Sequence, residues 1–402
     1  MLKVGLIFNV IYYVGILSGY AYFFLQGTLT ETIYTLDFQV FYEAGQMFHS
    51  SPGNIYSVMP NGLPFRYLPS FAAFMALLIV VPLPLLYMIN ISLMMIMNFG
   101  IVYLAYQVSL QVGVTSSTKN FEKTLLFVFI APQHIINIMF GQITQLAILL
   151  ALIALFLLQK TSKDSFIRFI LVGLLVGIAS ILKPIFLIFL PFLIPITLLD
   201  QNRISVSLRH LFGVASGVFL SMLPNIVYFI AFPSAINGFL QVNFGETLSY
   251  HHSTSITRLL VNLLPFFDST VLQAIIILIL GGFIFLRSYL RFIRTPEVQK
   301  NYLHHFADMM FLILLVYPDS WFLFLAIWYA FLAPSMLELY NSSSILGKEI
   351  RFLDILWSGA NNLLAFFFFG IILYYLVLGF DPINPIWIVI LYILYHRVSK
   401  RL

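Results

Sequence analysis

Cysteine is absent from the 402 residues, so disulfides and thiolate metal sites are excluded. Charge is nearly absent too. Asp, Glu, Lys and Arg make up 9% of the chain, against roughly 25% in soluble globular proteins. A solvated surface cannot be built from so few charges. With 61% hydrophobic residues and a mean hydropathy of +0.99, the composition is that of an integral membrane protein with many spans. No Lys/Arg run is interleaved with aromatics, so the net charge of +5 reads as basic loops on one membrane side rather than nucleic-acid binding. No His, Asp and Glu cluster has metal-ligand spacing, and no cofactor is expected. Internal repeats and low-complexity linkers are missing as well, which favours a single membrane domain over 1–402.

What is present is a series of thirteen apolar stretches nearly free of charge, near 4–25, 67–82, 84–108, 124–140, 142–159, 166–182, 184–199, 211–232, 270–286, 306–318, 321–337, 355–378 and 386–395. The first lacks a small-residue cleavage site and is long enough to stay as a span. Basic residues set the orientation. Lys3 and the runs at 160–163, 203–209, 287–300, 348–351 and 397–401 belong together in the cytoplasm, which puts 26–66, 233–269, 318–320 and 379–385 outside. Thirteen crossings cannot keep both termini cytoplasmic, so one segment within 67–140 must fail to cross. The expectation is an all-α bundle of about 12 transmembrane helices with an interfacial helix in the first outer loop.

With Lys119 and Lys123 on the cytoplasmic side, only Arg66, Lys183 and Arg258 of the 20 Lys and Arg residues fall at the outer face, among the acids Glu31, Asp37, Glu43, Glu246, Asp268, Asp319 and Asp381. Isolated cations in a field of carboxylates suggest an anionic ligand there. Residues 38–48 read as a short amphipathic helix with Gln39, Glu43 and Gln46 on one face, too short and polar to span. Asp37 stands just before it. As the helix N-cap it would accept a backbone N–H; as a general base it would serve chemistry at the membrane edge, and one residue can do both. Lys183 is either a snorkelling lysine at a break forced by Pro184 or a phosphate contact. Arg66 is an interface anchor or a phosphate contact, and Arg258 shares the phosphate reading. Gln142 and Gln145 are interhelical glue or sugar-hydroxyl ligands. His304-His305, after the basic run, is expected at the cytoplasmic surface.

A family resemblance enters at these residues. The run Asp37-x4-Tyr42-x2-Gly45, then Tyr56, then Phe65-x-Tyr67-x-Pro69 resembles the first outer loop of polyprenyl-phosphate-mannose-dependent mannosyltransferases, glycosyltransferase family 87 of the GT-C superfamily. Gly141-Gln142-Ile143-Thr144-Gln145-Leu146, Lys183-Pro184 and Pro318-Asp319-Ser320-Trp321 are similar to further family stretches, in the expected order. The resemblance implies a GT-C-type bundle in the plasma membrane. It would take a hexose, mannose, from a polyprenyl- or dolichyl-phosphate donor to a lipid- or glycan-linked acceptor on the outer face, with inversion. It implies Asp37 as general base. Taken with the residue readings above, the candidates on the donor phosphate are Arg66, Lys183 and Arg258, and those around sugar and acceptor are Tyr42, Glu43, Tyr67, Gln142, Gln145, His251, His252, Asp319 and Trp321. Two stretches depart from the pattern. Phe322-Leu323-Phe324 follows Ser320-Trp321 where many members have His, and Ser253 replaces Asn in an Asn-x-Ser-Leu-like segment.

A secondary transporter is the competing class, and would show inverted repeats and ionisable groups deep in the spans. A lipid-translocating protein without chemistry is the other. Neither repeats nor mid-span charges are visible in the sequence.

Overall fold

The computed structural model describes residues 2–27, 36–111, 137–159, 165–194, 196–199, 203–244, 255–264, 269–295 and 302–318, with single positions between these and up to 331. Helices dominate. In chain order they are α1 (Leu2–Leu25), α2 (Leu36–Ser50), α3 (Pro69–Leu78), α4 (Leu83–Gln111), α5 (Thr144–Gln159), α6 (Phe166–Leu182), α7 (Leu208–Ala231), α8 (Ser234–Phe244), α9 (Ile256–Leu263), α10 (Thr270–Ile276), α11 (Gly282–Arg294) and α12 (Tyr302–Val316). Among the described residues, three helical segments are long and apolar enough to cross a membrane: Leu83–Val108, Leu208–Ala231 and Val271–Arg294. The 24 residues of α1 give it a similar length. The apolar stretches at 355–378 and 386–395 lie outside the described residues.

The 67–82 stretch contributes only the ten residues of α3, about 15 Å of helix, half of a roughly 30 Å hydrocarbon core. Helix α3 alone is therefore too short to cross; the other short stretch, 124–140, lies mostly outside the described residues. Two expectations are corrected. The stretch 184–199 is not one continuous helix: it breaks into a 3-10 helix (Pro184–Phe189), a helical turn (Leu190–Leu193) and strand β1 (Ile196–Leu199), which pairs antiparallel with β2 (Arg203–Val206). Pro184, Pro191 and Pro195 recur there every few residues, and each removes a donor and obstructs the preceding turn. The strictly all-α class therefore gains a two-stranded ribbon. The helix beginning near 270 also outruns its expected end, continuing through a π turn (Ile277–Gly281) and past Arg287 to Arg294.

Helices α6 and α7 make the closest pairing. Lipid is as apolar as leucine, so close backbone approach rather than burial from water must hold them. Small residues four apart on both helices permit that approach. A Cβ on Gly173 would lie 2.1 Å from the Val214 carbonyl oxygen, and one on Gly217 would lie 2.0 Å from that of Ile170. Gly177 meets Ser221 and Gly213 meets Phe169 in the same way. Further along α7, Asn225 Oδ1 accepts the Ser70 backbone N–H (2.8 Å), satisfying a free donor in the first turn of α3. Gly45 lets α2 lie directly on the α3 backbone at Met75 and Ala76. The interfacial helix, the half-length helix and the α6–α7 pair thus form one continuous support.

Gly217→Ala is expected to destabilise the protein by about 1–3 kcal/mol through overpacking against backbone. Gly282→Ala, where nothing lies within 4 Å of the added carbon, is expected to be neutral or slightly stabilising. Thermal melting of both variants in detergent checks the contrast.

Candidate functional site

The site begins at the loop before α5. Gly141 has φ +73°, and a Cβ there would lie 2.5 Å from the Phe38 Cβ; glycine is required on both counts. Its absence of side chain lets the loop press against the start of α2, where the Phe140 carbonyl accepts the backbone N–H groups of Asp37 and Phe38, both at 3.2 Å. Tyr87 Oη donates to the Met139 carbonyl (2.5 Å) and Asn90 Nδ2 to that of Gly141 (3.1 Å), so α4 clamps the loop from behind. Asp37 is therefore not a residue ahead of the helix. It lies inside the first turn of α2, whose end is satisfied by a loop more than a hundred positions away, and the N-cap reading is corrected.

From this turn the Asp37 carboxylate meets Gln142. Gln142 Nε2 donates to Asp37 Oδ2 at 2.6 Å, while Gln142 Oε1 accepts from Lys183 Nζ at 2.5 Å and from Tyr67 Oη at 3.3 Å. Lys183 Nζ also donates to Tyr67 Oη at 2.9 Å and lies 5.2 Å and 5.8 Å from the ring centres of Tyr67 and Phe324. A carboxylate takes only donors and an ammonium offers only donors, so the orientation of the amide is determined. The cation and the anion face each other with an amide between them.

Burial works against both charges. It pushes the Asp37 carboxyl up, opposed by the charge of Lys183 and the Gln142 hydrogen bond. Lys183, just beyond the last residue of α6, is brought down to about 8 by burial, with Asp37 pulling the other way. Tyr67 is raised well above its ordinary value, first by burial and then by the Asp37 charge, and stays protonated as a donor.

These groups line a cavity of about 170 Å³, smaller than the roughly 300–1,000 Å³ of a drug-sized pocket. Arg66, Asn137, Asn243 and Tyr317 share the wall, with Phe41, Phe140 and Phe324 as its aromatic part. Segments that the sequence assigns to one membrane face therefore meet at one point. Asp37, Arg66, Tyr67, Gln142 and Lys183 are brought together. Other candidates are not. Tyr42 donates to the carbonyls of Ile79 and Val81 in the α3–α4 turn (3.2 and 3.3 Å), and Glu43 accepts from Gln39 (2.7 Å) on the α2 surface. Arg258 is buried in α9 and is not among the cavity residues. Gln145 is fully buried, and neither amide atom finds a hydrogen-bond partner among the described residues. His251, His252, Asp319 and Trp321 lie outside the described residues.

Two stretches singled out in the sequence are bound to each other: Ser253 Oγ donates to the Pro318 carbonyl (2.7 Å), and Thr257 Oγ1 to that of Val316 (2.8 Å). Sequence reading missed Asn137, Asn243 and Tyr317. Tyr317 adjoins the Pro318-Asp319 stretch, and Asn137 is an amide late in an apolar run; Asn243 carries no such signal. No group of three His, Asp or Glu residues able to hold a metal ion occurs among the described residues.

A family model described as Glycosyltransferase family 87 matches residues 65–318, more than half of the chain. Arg66, Tyr67, Gln142 and Lys183 fall within the match, and Asp37 precedes it. No curated protein matches.

Gly141→Ala is expected to lower the melting midpoint more than Gly62→Ala. Both positions have positive φ, +73° and +77°, but only Gly141 also confronts a neighbour. The backbone strain alone is worth about 1–3 kcal/mol, and thermal melting of the pair separates strain from collision.

Proposed function

The chain belongs to glycosyltransferase family 87, and from that premise we propose that it transfers mannose from a polyprenyl-phosphate carrier to a lipid- or glycan-linked hydroxyl, with inversion. The transfer takes place at the outer face of the cell membrane, with both termini in the cytoplasm. The family makes the protein a membrane glycosyltransferase with a sugar donor and an acceptor. The observation that carries the finer reading is the Asp37–Gln142–Lys183 array on a single cavity wall.

The acceptor oxygen attacks the anomeric carbon and its proton passes to Asp37. The bond from that carbon to the phosphate oxygen breaks, and the electron pair leaves on the lipid phosphate. That leaving group is already an anion, so it calls for cations rather than a general acid. Lys183 has three N–H donors, two of which are taken by Gln142 and Tyr67. The third, with the Arg66 guanidinium on the same wall, is suited to the phosphate. Among the described residues Asp37 is the one carboxylate lining the cavity, which suits a single displacement, whereas a double displacement with retention needs a second carboxylate as nucleophile about 5 Å away. Glu43 is held by Gln39 and does not line the cavity. The small volume suits one sugar ring, with Phe41 and Phe140 as apolar walls.

Asp37→Asn preserves an acceptor oxygen for Gln142 and removes the base, so sugar transfer from lipid-phosphate-linked mannose by the folded variant is expected to fall by about 10²–10⁴-fold. A rate near that of the wild type assigns the base elsewhere.

The pH profile of kcat/KM is expected to be bell-shaped. Activity rises as Asp37, raised by burial, loses its proton, and falls through about pH 8 as Lys183 loses its own. Lys183→Arg keeps the cation charged above pH 12, so the alkaline limb moves out of range while the acid limb stays. A profile measured from pH 5 to 10 for both proteins checks this, whatever the absolute rates.

A further inference from the structure

The far end of the molecule carries a second cluster of cations that the transfer chemistry does not use. Arg287, Arg291 and Arg294 are spaced four and three apart on one face of α11, and all three are exposed. Phe283 (65% exposed), Leu286 (55% exposed) and the half-buried Leu290 lie among them. Together with Thr295 these side chains line an open groove of about 460 Å³.

The opposite face of α11 is locked. Ser288 Oγ donates to Asp308 Oδ2 at 2.9 Å and pairs with His305 Nδ1 at 3.1 Å, both on α12. Phe192 stacks on the His305 ring with centres 5.4 Å apart, and Phe292 meets that ring edge-on at 5.1 Å. His305 is thus buried in a polar knot and not at the cytoplasmic surface expected from the basic run. With Ile284, Ser288 and Phe292 fixed inward, the helix cannot roll to hide its arginines. Asp308 attracts Arg287 and Arg291 from behind the helix, but among the described residues no carboxylate lines the groove.

The segment Val271–Arg294 is long and apolar enough to cross a membrane and is little buried in the protein, so it presents an apolar surface along most of its length and ends in the arginine ladder. The ladder is also remote from the Asp37 cavity. Helix α12 starts beside it and ends one residue before Tyr317 on the cavity wall, a separation of about 22 Å along 15 helical residues.

We propose that this groove seats one anionic phospholipid of the opposite leaflet, its phosphate among the three guanidinium groups and its acyl chains along Phe283, Leu286 and Leu290. Guanidinium forks match a phosphate in a bidentate manner, and arginine is less strongly hydrated than lysine. The apolar residues on the membrane side of the ladder extend the same surface toward the chains. A zwitterionic lipid offers the same phosphate together with a cation that the ladder repels.

The test is native mass spectrometry of the full-length protein, delipidated and titrated with phosphatidylglycerol or phosphatidylcholine. One retained phosphatidylglycerol is expected, in clear preference to phosphatidylcholine. A cation near an anionic headgroup is worth about 1 kcal/mol, or about fivefold, so R287Q/R291Q/R294Q is expected to weaken retention roughly a hundredfold and Arg291→Gln alone about fivefold. All three side chains are exposed, so melting temperatures should not change. Equal retention of both lipids, undiminished retention in the variants, or full displacement of the lipid by millimolar inorganic phosphate overturns the proposal. The readout involves no sugar transfer, so it stands or falls separately from the catalytic assignment.

Discussion

A carboxylate and an ammonium enclosed together in apolar surroundings collapse into a direct ion pair unless something stands between them. Here the Gln142 amide does, giving its donor to Asp37 and its acceptor to Lys183. Contact would neutralise both groups, with the carboxylate losing basicity and the ammonium its attraction for another anion. Separation by one amide preserves both and still lets each charge support the other through the cavity. Much of the fold serves that spacing. Gly141 lets the loop press on Phe38, the Phe140 carbonyl closes the end of α2, Tyr87 and Asn90 hold the loop from α4, and the break at Pro184 leaves Lys183 at a helix end with its side chain free to turn inward.

The scaffold answers a second constraint, that lipid gives helices no hydrophobic reason to associate. Glycines at 173, 177, 213 and 217 allow α6 and α7 to pack at backbone distance. That pair carries Lys183 at one end of α6 and the Asn225 contact to α3 within α7. Aromatic rings fill the remaining space beside the cavity, with Phe41 against Tyr67 at 4.9 Å and against Phe71 at 5.1 Å, and Tyr56 against Phe65 at 5.9 Å. Tyr56 also donates to the Tyr67 carbonyl (3.1 Å), fixing the backbone from which the Tyr67 hydroxyl reaches Gln142 and Lys183.

Much of the site could be read from the chain because charge is so costly in a membrane that each isolated ionisable residue already asks for a reason. Asp37, Arg66 and Lys183 stood out on that ground, and all three line one cavity. Gln142 was legible as a polar group in an apolar setting, but the direction of its amide was not, since that depends on partners about 105 residues before it and 41 after it. Tyr42 and Glu43 do not line the cavity, because a motif or a periodicity shows which face a residue occupies and not what packs on that face. Arg258 shared its composition signal with Lys183 but turns into a different part of the bundle. The ribbon at Ile196–Val206 was hidden by a hydropathy indistinguishable from that of a span, although three prolines in twelve residues marked the break.

The π turn at Ile277–Gly281 acts as a phase shifter. One residue accommodated beyond the regular α-helical winding rotates everything after it by about 100° relative to everything before it. Upstream, Val271 and Ile275 are exposed; downstream, Phe283 and Leu286 are, with the arginines on the same outward side, while Gly281 within the turn faces Leu312 and Val316. An uninterrupted α-helix would swing the downstream face toward α12, pressing guanidinium groups into the place now held by Ser288. The helix thus satisfies two neighbours whose contact surfaces are out of step, and a length change of a single residue there would re-index the whole arginine-bearing half of the segment.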